Sequence, residues 1–377
     1  MLHAGDADAA GKSKIEPFID SLCKQFTEVY TPTPFVSIDE MIIGFKGRWK
    51  FKQFNASKPH KYHIKSFGLV DSSNGFVLDL LVYFGKETSY ASFTDVKSGA
   101  AIKVFDKLLQ SIGTGYHIFA DRWYTTRALV DDLLLKSQYY TGTINVNRVG
   151  FPPHLKNLRI DHMESKHYAT NDKKLIVCAF KDKKAKKPAI LVSTNSKVDE
   201  VVNYRGKSKP AIVDQYNTFM SGCDRADQMI GYYGHHNRKS TKWWKKLFFW
   251  ILEITTLNAF ILYKSSRPRP FKHGVERHLT FLNFKKKMIS QMETHAVQIE
   301  IARGTSGRFR KPVGRPLKNT AIEINTPGKH IIEKGGQQRV CKQCSSTDSP
   351  KRTVYYCKTC PSHPHVHPCC FANFHKR

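Results

Sequence analysis

Apolar positions along this chain recur first at helical spacing and then in short runs. Ile15, Phe18, Ile19, Leu22, Phe26 and Val29 fall mostly three or four positions apart, which predicts a helix over residues 15–30 with one apolar face. Thr31-Pro-Thr-Pro34 ends it, because proline cannot continue a helix and biases its predecessor toward extended geometry. That helix must dock on something later in the chain. From Phe35 the pattern becomes β-like, with runs at 35–45, 62–70 and 76–84 and Asp71-Ser-Ser-Asn-Gly75 as a hairpin turn between the last two. A helix over 99–112, with Ile102, Phe105, Leu108, Leu109 and Ile112 on its apolar side, leads to a strand at 116–120, a helix at 126–135 and a strand at 139–144. Three antiparallel strands followed by helix, strand, helix and strand give an α/β class with the element order of an RNase H-like fold. In that fold the first and fourth strands are neighbours.

Carboxylates fall at telling places in this pattern. Asp121 ends the run His117-Ile-Phe-Ala, where a buried strand emerges into a loop and an open α/β sheet places its chemistry. The plainer reading is that it caps the following helix. Asp39 interrupts the strand-like Ser37-Ile-Asp-Glu-Met-Ile-Ile-Gly44, and an aspartate there is a poor β-former and an expensive core residue. Asp224 and Asp227 lie three residues apart in a helix-like stretch over 216–233 and therefore share one side. A metal ion would supply the reason for such carboxylates.

Between these elements, residues 146–210 lose helical periodicity and read as a β-rich insertion. Two short runs there flank Lys181-Asp-Lys-Lys-Ala-Lys-Lys-Pro188, a basic hairpin that is either a solvated loop or a finger resting on phosphates. From Thr241 onward the sequence is helical and aromatic, and 276–303 is a further helix. Trp243, between Lys242 and Lys245's side of the helix start, is a candidate to stack on an unpaired base, while its aromatic neighbours read as core. A basic linker over 306–337 carries Arg308, Arg310 and Arg315, and Lys311 to Lys318 within it loosely resembles a minor-groove arm or an import signal.

The chain's 377 residues suffice for two or three domains, and 40% hydrophobic with 12% aromatic residues marks it as globular. A formal charge of +30, from 61 Lys and Arg against 31 Asp and Glu, points to a polyanion as partner, with double-stranded DNA first. The apolar run Leu247 to Tyr263 is broken by Glu253 and Asn258, so it reads as a buried helix and no membrane partner is expected. Residues 1–14 are small and polar with no signal-peptide pattern, and an intracellular, nuclear setting is expected. No small-molecule substrate is indicated.

Six of the nine cysteines fall in the last 37 residues. Cys341-x-x-Cys344 and Cys357-x-x-Cys360 are twelve residues apart and precede His363, His365, His367, Cys369, Cys370 and His375. Such pairs suit tetrahedral Zn²⁺, and so short a segment has no apolar core to fold around without metal. Two interleaved zinc ions are expected on Cys341, Cys344, Cys357, Cys360, His365, His367, Cys370 and His375, with Cys369 able to replace His367. Disulfides are the alternative, disfavoured in a reducing compartment.

Ser37 to Arg48, Ala120-Asp-Arg-Trp-Tyr-Thr-Thr126, Tyr216-Asn217, Cys223-Asp-Arg-Ala-Asp-Gln-Met229, the stretch 243–263 and the terminal Cys/His cluster occur in one order. In that combination the chain resembles the piggyBac-type transposases and their transposon-derived relatives. The resemblance implies catalytic aspartates at Asp39, Asp121 and Asp224, with Asp227 as a fourth acidic position beside them. It implies Mg²⁺ (or Mn²⁺) in that site, and cut-and-paste DNA transposition at TTAA targets through hairpin ends. It implies a helical dimerisation and DNA-binding domain split between residues 1–34 and 231–305, giving the first helix its partner and the protein a homodimeric form. The core would then be 35–145 with its last helix in 211–230, and 338–377 a cross-brace zinc domain reading transposon ends. Family members usually carry a longer region before the first catalytic strand, so the helical domain is read as truncated. Two alternatives stay open. One is a domesticated nuclear DNA-binding protein without transposition activity, and the other is a zinc tail that serves protein interaction, since cross-brace shapes recur in such modules.

Overall fold

The structure, a computed structural model, describes residues 11–95, 97–198, 201–204, 207–266, 279–302, 330–347 and 349–375. They fall into two compact units, Met1–Gln298 and Ile299–Arg377.

The first unit starts with α1 (Glu16–Val29), followed by β1 (Phe35–Gly44), the short β2 (Gln53–Phe54), β3 (Tyr62–Asp71) and β4 (Val77–Val82). The β3–β4 turn forms as its residues dictate: Asp71 Oδ1 accepts from the Ser73 N–H at 2.8 Å, and Gly75 takes the left-handed φ of +85°. Next come α2 (Ala100–Leu109), β5 (His117–Ala120), α3 (Arg127–Leu135) and β6 (Tyr139–Thr143). β1 pairs antiparallel with β3 and parallel with β5, and β5 pairs parallel with β6. The parallel register sets Ser37 beside Phe119. Asp39 and Asp121 lie two residues beyond this last pair on their respective segments.

The β-rich stretch expected as an inserted subdomain instead mostly extends this sheet. β7 (Ser165–Ala169), β8 (Ile176–Phe180) and β9 (Ala189–Ser193) are antiparallel, and β9 pairs with β6, giving the order β2-β3-β1-β5-β6-β9-β8-β7 with β4 beside β3. Their buried runs, such as Ile176 to Phe180, have no sheet face of their own to cover and complete an existing one. Lys181 to Pro188 joins β8 to β9, and β10 (Val201–Tyr204) with β11 (Lys207–Pro210) forms a separate ribbon.

The helix expected over 216–233 is two: α4 (Ala211–Phe219) and α5 (Gly222–Tyr232). The break lets α5 approach β1 closely, since a Cβ on Gly222 would meet Ser37 Oγ at 2.3 Å. α6 (Trp243–Ser265) is long and apolar enough to cross a membrane by length and composition, with 56% of that window buried inside the protein. Its Asn258 lies against β4, where the side-chain amide accepts from Val77 N–H at 2.9 Å and donates to Val77 O at 2.8 Å. α7 (Phe281–Ala302) reaches α6 through the buried Lys285–Glu253 ion pair.

α1 finds its partners in this same unit. Ile15, Ile19, Cys23 and Phe26 join the buried core of the sheet, Phe18 lies 5.4 Å from Phe248 of α6 and Tyr30 stacks 4.1 Å from Phe76. α1, α6 and the sheet thus share one apolar core. The second unit contains β12 (Ile332–Val340) and β13 (Arg352–Cys357), an antiparallel pair, and the short α8 (Pro368–Phe374). Arg308, Arg310 and Arg315 lie outside the described residues.

Candidate catalytic carboxylates and metal-ligand groups

Three elements bring the four aspartates toward one place. Asp39 is on β1, half-buried, and its Oδ1 accepts from the Glu40 N–H at 2.7 Å. Asp121 follows β5 directly and closes a tight turn: its Oδ1 accepts from Trp123 N–H at 2.7 Å and its carbonyl from Thr125 Oγ1 at 3.0 Å. It does not cap the next helix. Thr126 does, accepting from Leu129 N–H at 3.1 Å, which removes the plainer reading of Asp121. α5 carries Asp224, exposed, and Asp227, whose Oδ2 accepts from Ile42 N–H of β1 at 3.4 Å. Arg225 fixes that helix by donating to Ser72 O and Ser73 O at 3.0 and 2.9 Å.

The electrostatics show how close these groups stand. Burial pushes the Asp39 carboxyl up to about 7, and the charges of Asp121 and Asp224 push the same way. Burial likewise takes Asp227 up to about 7, with Asp224 and Asp39 adding to it. Asp227 Oδ1 is buried without a hydrogen-bond partner. An all-oxygen donor set with an orphaned buried acceptor fits a hard divalent cation, which would relieve the repulsion. Among the described residues, the carboxylates form no group of three whose ligand atoms all lie within 4.8 Å of one another.

Beside them, sequence reasoning passed over a cation and its aromatic seat. Lys65 on β3 donates to Glu40, the neighbour of Asp39, and its Nζ stands 4.7 Å from both the Phe67 and Trp123 ring centroids. Trp123 remains 42% exposed. In the sequence Lys65 reads only as an outward position of an alternating strand.

Two groups in the second unit do meet the tighter criterion. Cys341, Cys344, His367 and Cys370 form one, and His330, Cys357, Cys360 and His375 the other, each with ligand atoms within 4.8 Å. Contacts such as Cys344 Sγ to His367 Nδ1 at 3.2 Å and Cys360 Sγ to His330 Nδ1 at 3.3 Å resemble the separation of roughly 3.3–3.8 Å between ligands on tetrahedral zinc with bonds of about 2.0–2.3 Å. The hairpin sorts the groups: Cys341 follows β12 at its turn end, while Ile332 pairs with Cys357 at its open end, near His330. Burial pushes the Cys341 thiol up, but the His367, Cys344 and Gln343 N–H groups outweigh it and hold it down at about 6, favouring the metal-binding thiolate.

His365 is a correction. Its Nδ1 faces Thr353 O at 3.4 Å and it joins neither group, and His330 stands where it was expected. His330 escaped notice because it sits eleven residues ahead of the first cysteine, outside any paired spacing. Cys369 is also outside both groups, exposed, with Sγ 3.9 Å from Cys370 Sγ. Trp243 is a second correction: its ring stacks on Trp49 at 5.2 Å and 17°, with Phe84 at its edge, so that face is already covered. Lys242 and Lys245 remain exposed at the start of α6.

A sequence model of the family described as Transposase IS4 matches residues 3–260. Human PiggyBac transposable element-derived protein 3 is 26% identical over 390 residues, covering 99% of this chain and 61% of its own length. Human PiggyBac transposable element-derived protein 2 is 25% identical over 289 residues, covering 70% of this chain and 47% of its own. A piggyBac transposase, solved by cryo-electron microscopy as a synaptic complex with hairpin DNA, superposes with a TM-score of 0.63 at 25% identity over 72% of this chain and 55% of that one. The chain therefore spans less than two thirds of the length of each of these proteins. With the family match covering residues 3–260 of 377 and relatives of one kind, the chain belongs to the piggyBac-type transposases.

Proposed function

We propose that this chain is a DNA strand-cleaving and strand-transferring transposase that acts at TTAA sites through Asp39, Asp121 and Asp224, with Asp227 in support. The observation that carries the reading is the parallel β1–β5 pairing, which ends at Ser37 and Phe119, two residues ahead of Asp39 and Asp121, together with the α5 contact that brings Asp227 to β1. The strand order β4-β3-β1-β5-β6 supports an RNase H-like core. Mg²⁺ or Mn²⁺ bound by these carboxylates would supply activation of a water or 3′-hydroxyl and stabilisation of the leaving oxygen. The chain's own part is to hold the carboxylates. Gly222 lets α5 close on β1, Arg225 ties α5 to the β3–β4 turn, and the Asp121 turn is locked by Trp123 N–H and Thr125 Oγ1. A divalent cation held there would favour the deprotonated carboxylates of Asp39 and Asp227, which burial pushes up to about 7. Lys65 is tied to Glu40, the residue after Asp39 on β1.

The same reading makes double-stranded DNA the partner, two Zn²⁺ the occupants of the Cys/His groups, a homodimer the working form and the nucleus the place of action. The +30 charge supports the polyanion, and Lys242 and Lys245 are exposed to meet it. A second reading is a DNA-binding protein without turnover, favoured by the human relatives' description as transposable element-derived. Cleavage of a labelled duplex carrying a TTAA-flanked end, with Mg²⁺ or Mn²⁺, separates the two. The enzyme reading expects cutting by the native chain and none by Asp121→Ala; binding without cutting by either protein favours the second.

A further inference from the structure

A cavity of about 350 Å³ opens beside the Asp121 turn, lined by Gly99, Ala100, Ala101, Ile102, Trp123, Thr126, Ala128 and Arg148. Its wall is apolar and small, and none of the lining residues is acidic. Trp123 lies two residues beyond Asp121, with 42% of its surface open and Lys65 and Phe67 packed against its ring. At the rim, the Arg148 guanidinium donates to the Trp123 carbonyl, so cation and ring are held as one unit. The α2 end that forms the opposite wall begins at Gly99, with no side-chain cap and no acidic residue in its first turn. Its free N–H groups add to the positive field.

We propose that this notch holds one unstacked nucleobase of the DNA substrate, its face on Trp123 and its phosphate near Arg148. The proposal rests on the reading of the chain as a DNA-acting transposase and adds to it a subsite next to the carboxylates. The cavity, about 350 Å³, is at the small end of the range of about 300–1,000 Å³ for ligand sites and has room for one planar base. Chemistry agrees, because a π-face is common to every base while positive charge on Arg148 and Lys65 selects an anionic backbone over a neutral aromatic ligand. An open tryptophan beside small apolar residues, with Arg148 at the rim and no acidic residue in the lining, offers a nucleobase a stacking face and its phosphate a cation.

The test is a thermodynamic cycle on binding alone, measured by fluorescence anisotropy at fixed salt with no added Mg²⁺. The probe is a hairpin DNA with TTAA in its loop, and abasic versions lacking the base at each loop position in turn. Trp123→Ala is expected to weaken binding to the intact hairpin roughly 5- to 100-fold, as for loss of one base-aromatic stack. At one abasic position the native chain and the variant should bind alike, and Trp123→Phe should keep most of the native affinity. Ala100→Leu fills the notch without removing the ring and should reproduce the loss. Neither substitution changes charge, so the salt slope should stay put. A Trp123→Ala penalty that persists at every abasic position, or no penalty from either substitution, overturns the notch while leaving DNA binding intact. Absence of hairpin binding by the native chain would overturn the underlying reading itself.

Discussion

Trp243 lies face to face with Trp49, ring centroids 5.2 Å apart and planes within 17°. One tryptophan opens α6 and the other precedes β2, so the stack fixes the start of that long helix on the sheet side of the unit. Trp243→Ala is expected to lower stability by about 2–3 kcal/mol, somewhat under the roughly 3–5 kcal/mol of a fully buried aromatic. DNA affinity per folded molecule should not change. Denaturant melts combined with hairpin binding check this, and an unchanged melt with weakened binding would return the ring to a base-stacking role.

The sequence carried the fold where periodicity was strong. α1, β1, β3, β5, α3 and β6 lie within a residue or two of the predicted spans, and α2 ends three residues short of its span, because their apolar faces and the proline and glycine punctuation agree. Sheet membership of β8 and β9 was not legible: a buried run has the same pattern in a separate sheet as in an extension of the first. The break before α5 depended on a close approach at Gly222 to Ser37, 185 residues away, and to the Ser72 backbone. The aspartates stood out because carboxylates are costly in strands. Lys65, Trp123 and Arg148 did not, because their meaning lies in one another's company.

The Cys/His groups make a stoichiometric prediction. His330→Ala should reduce bound zinc from two ions to one, whereas His365→Ala should leave two, since His365 faces only the Thr353 carbonyl. Elemental analysis of the purified variants reads this directly. Loss of an ion from His365→Ala with none lost from His330→Ala would reverse the assignment.

Stability should depend on pH through Asp39 and Asp227, both held up at about 7 by burial. An unfolded aspartate titrates near 4. The folded chain therefore keeps protons that the unfolded chain releases between about pH 4 and 7, and stability present below the lower value is lost as pH rises through the upper one. Without divalent ions, an Asp39→Asn/Asp227→Asn variant should melt higher than the native chain at pH 8, and the gap should close toward pH 4. Mg²⁺ or Mn²⁺ should raise the native melting temperature at pH 8 and leave the variant's where it is. A pH-independent gap would show that these groups do not carry the effect.

Asn258 supplies β4 with a partner where no strand continues, meeting both the N–H and the carbonyl of Val77. Asn258→Leu leaves two buried backbone groups without partners, at about 1–3 kcal/mol each. The expected loss is therefore about 2–5 kcal/mol, measured by denaturant unfolding, and a loss below about 1 kcal/mol would mean water takes over both bonds.

The two metal-ligand groups interleave along the chain, with His330 first, then Cys341 and Cys344, Cys357 and Cys360, His367 and Cys370, and His375 last. As a ribosome delivers this stretch, neither set is complete until its end has emerged, and the first thiol pair waits for a partner through most of the unit's synthesis. Zinc bound as proposed would therefore load late, when the last ligands of both groups are in place. A cut anywhere between Cys344 and Cys357 separates members of both groups, so one nick can release both ions together.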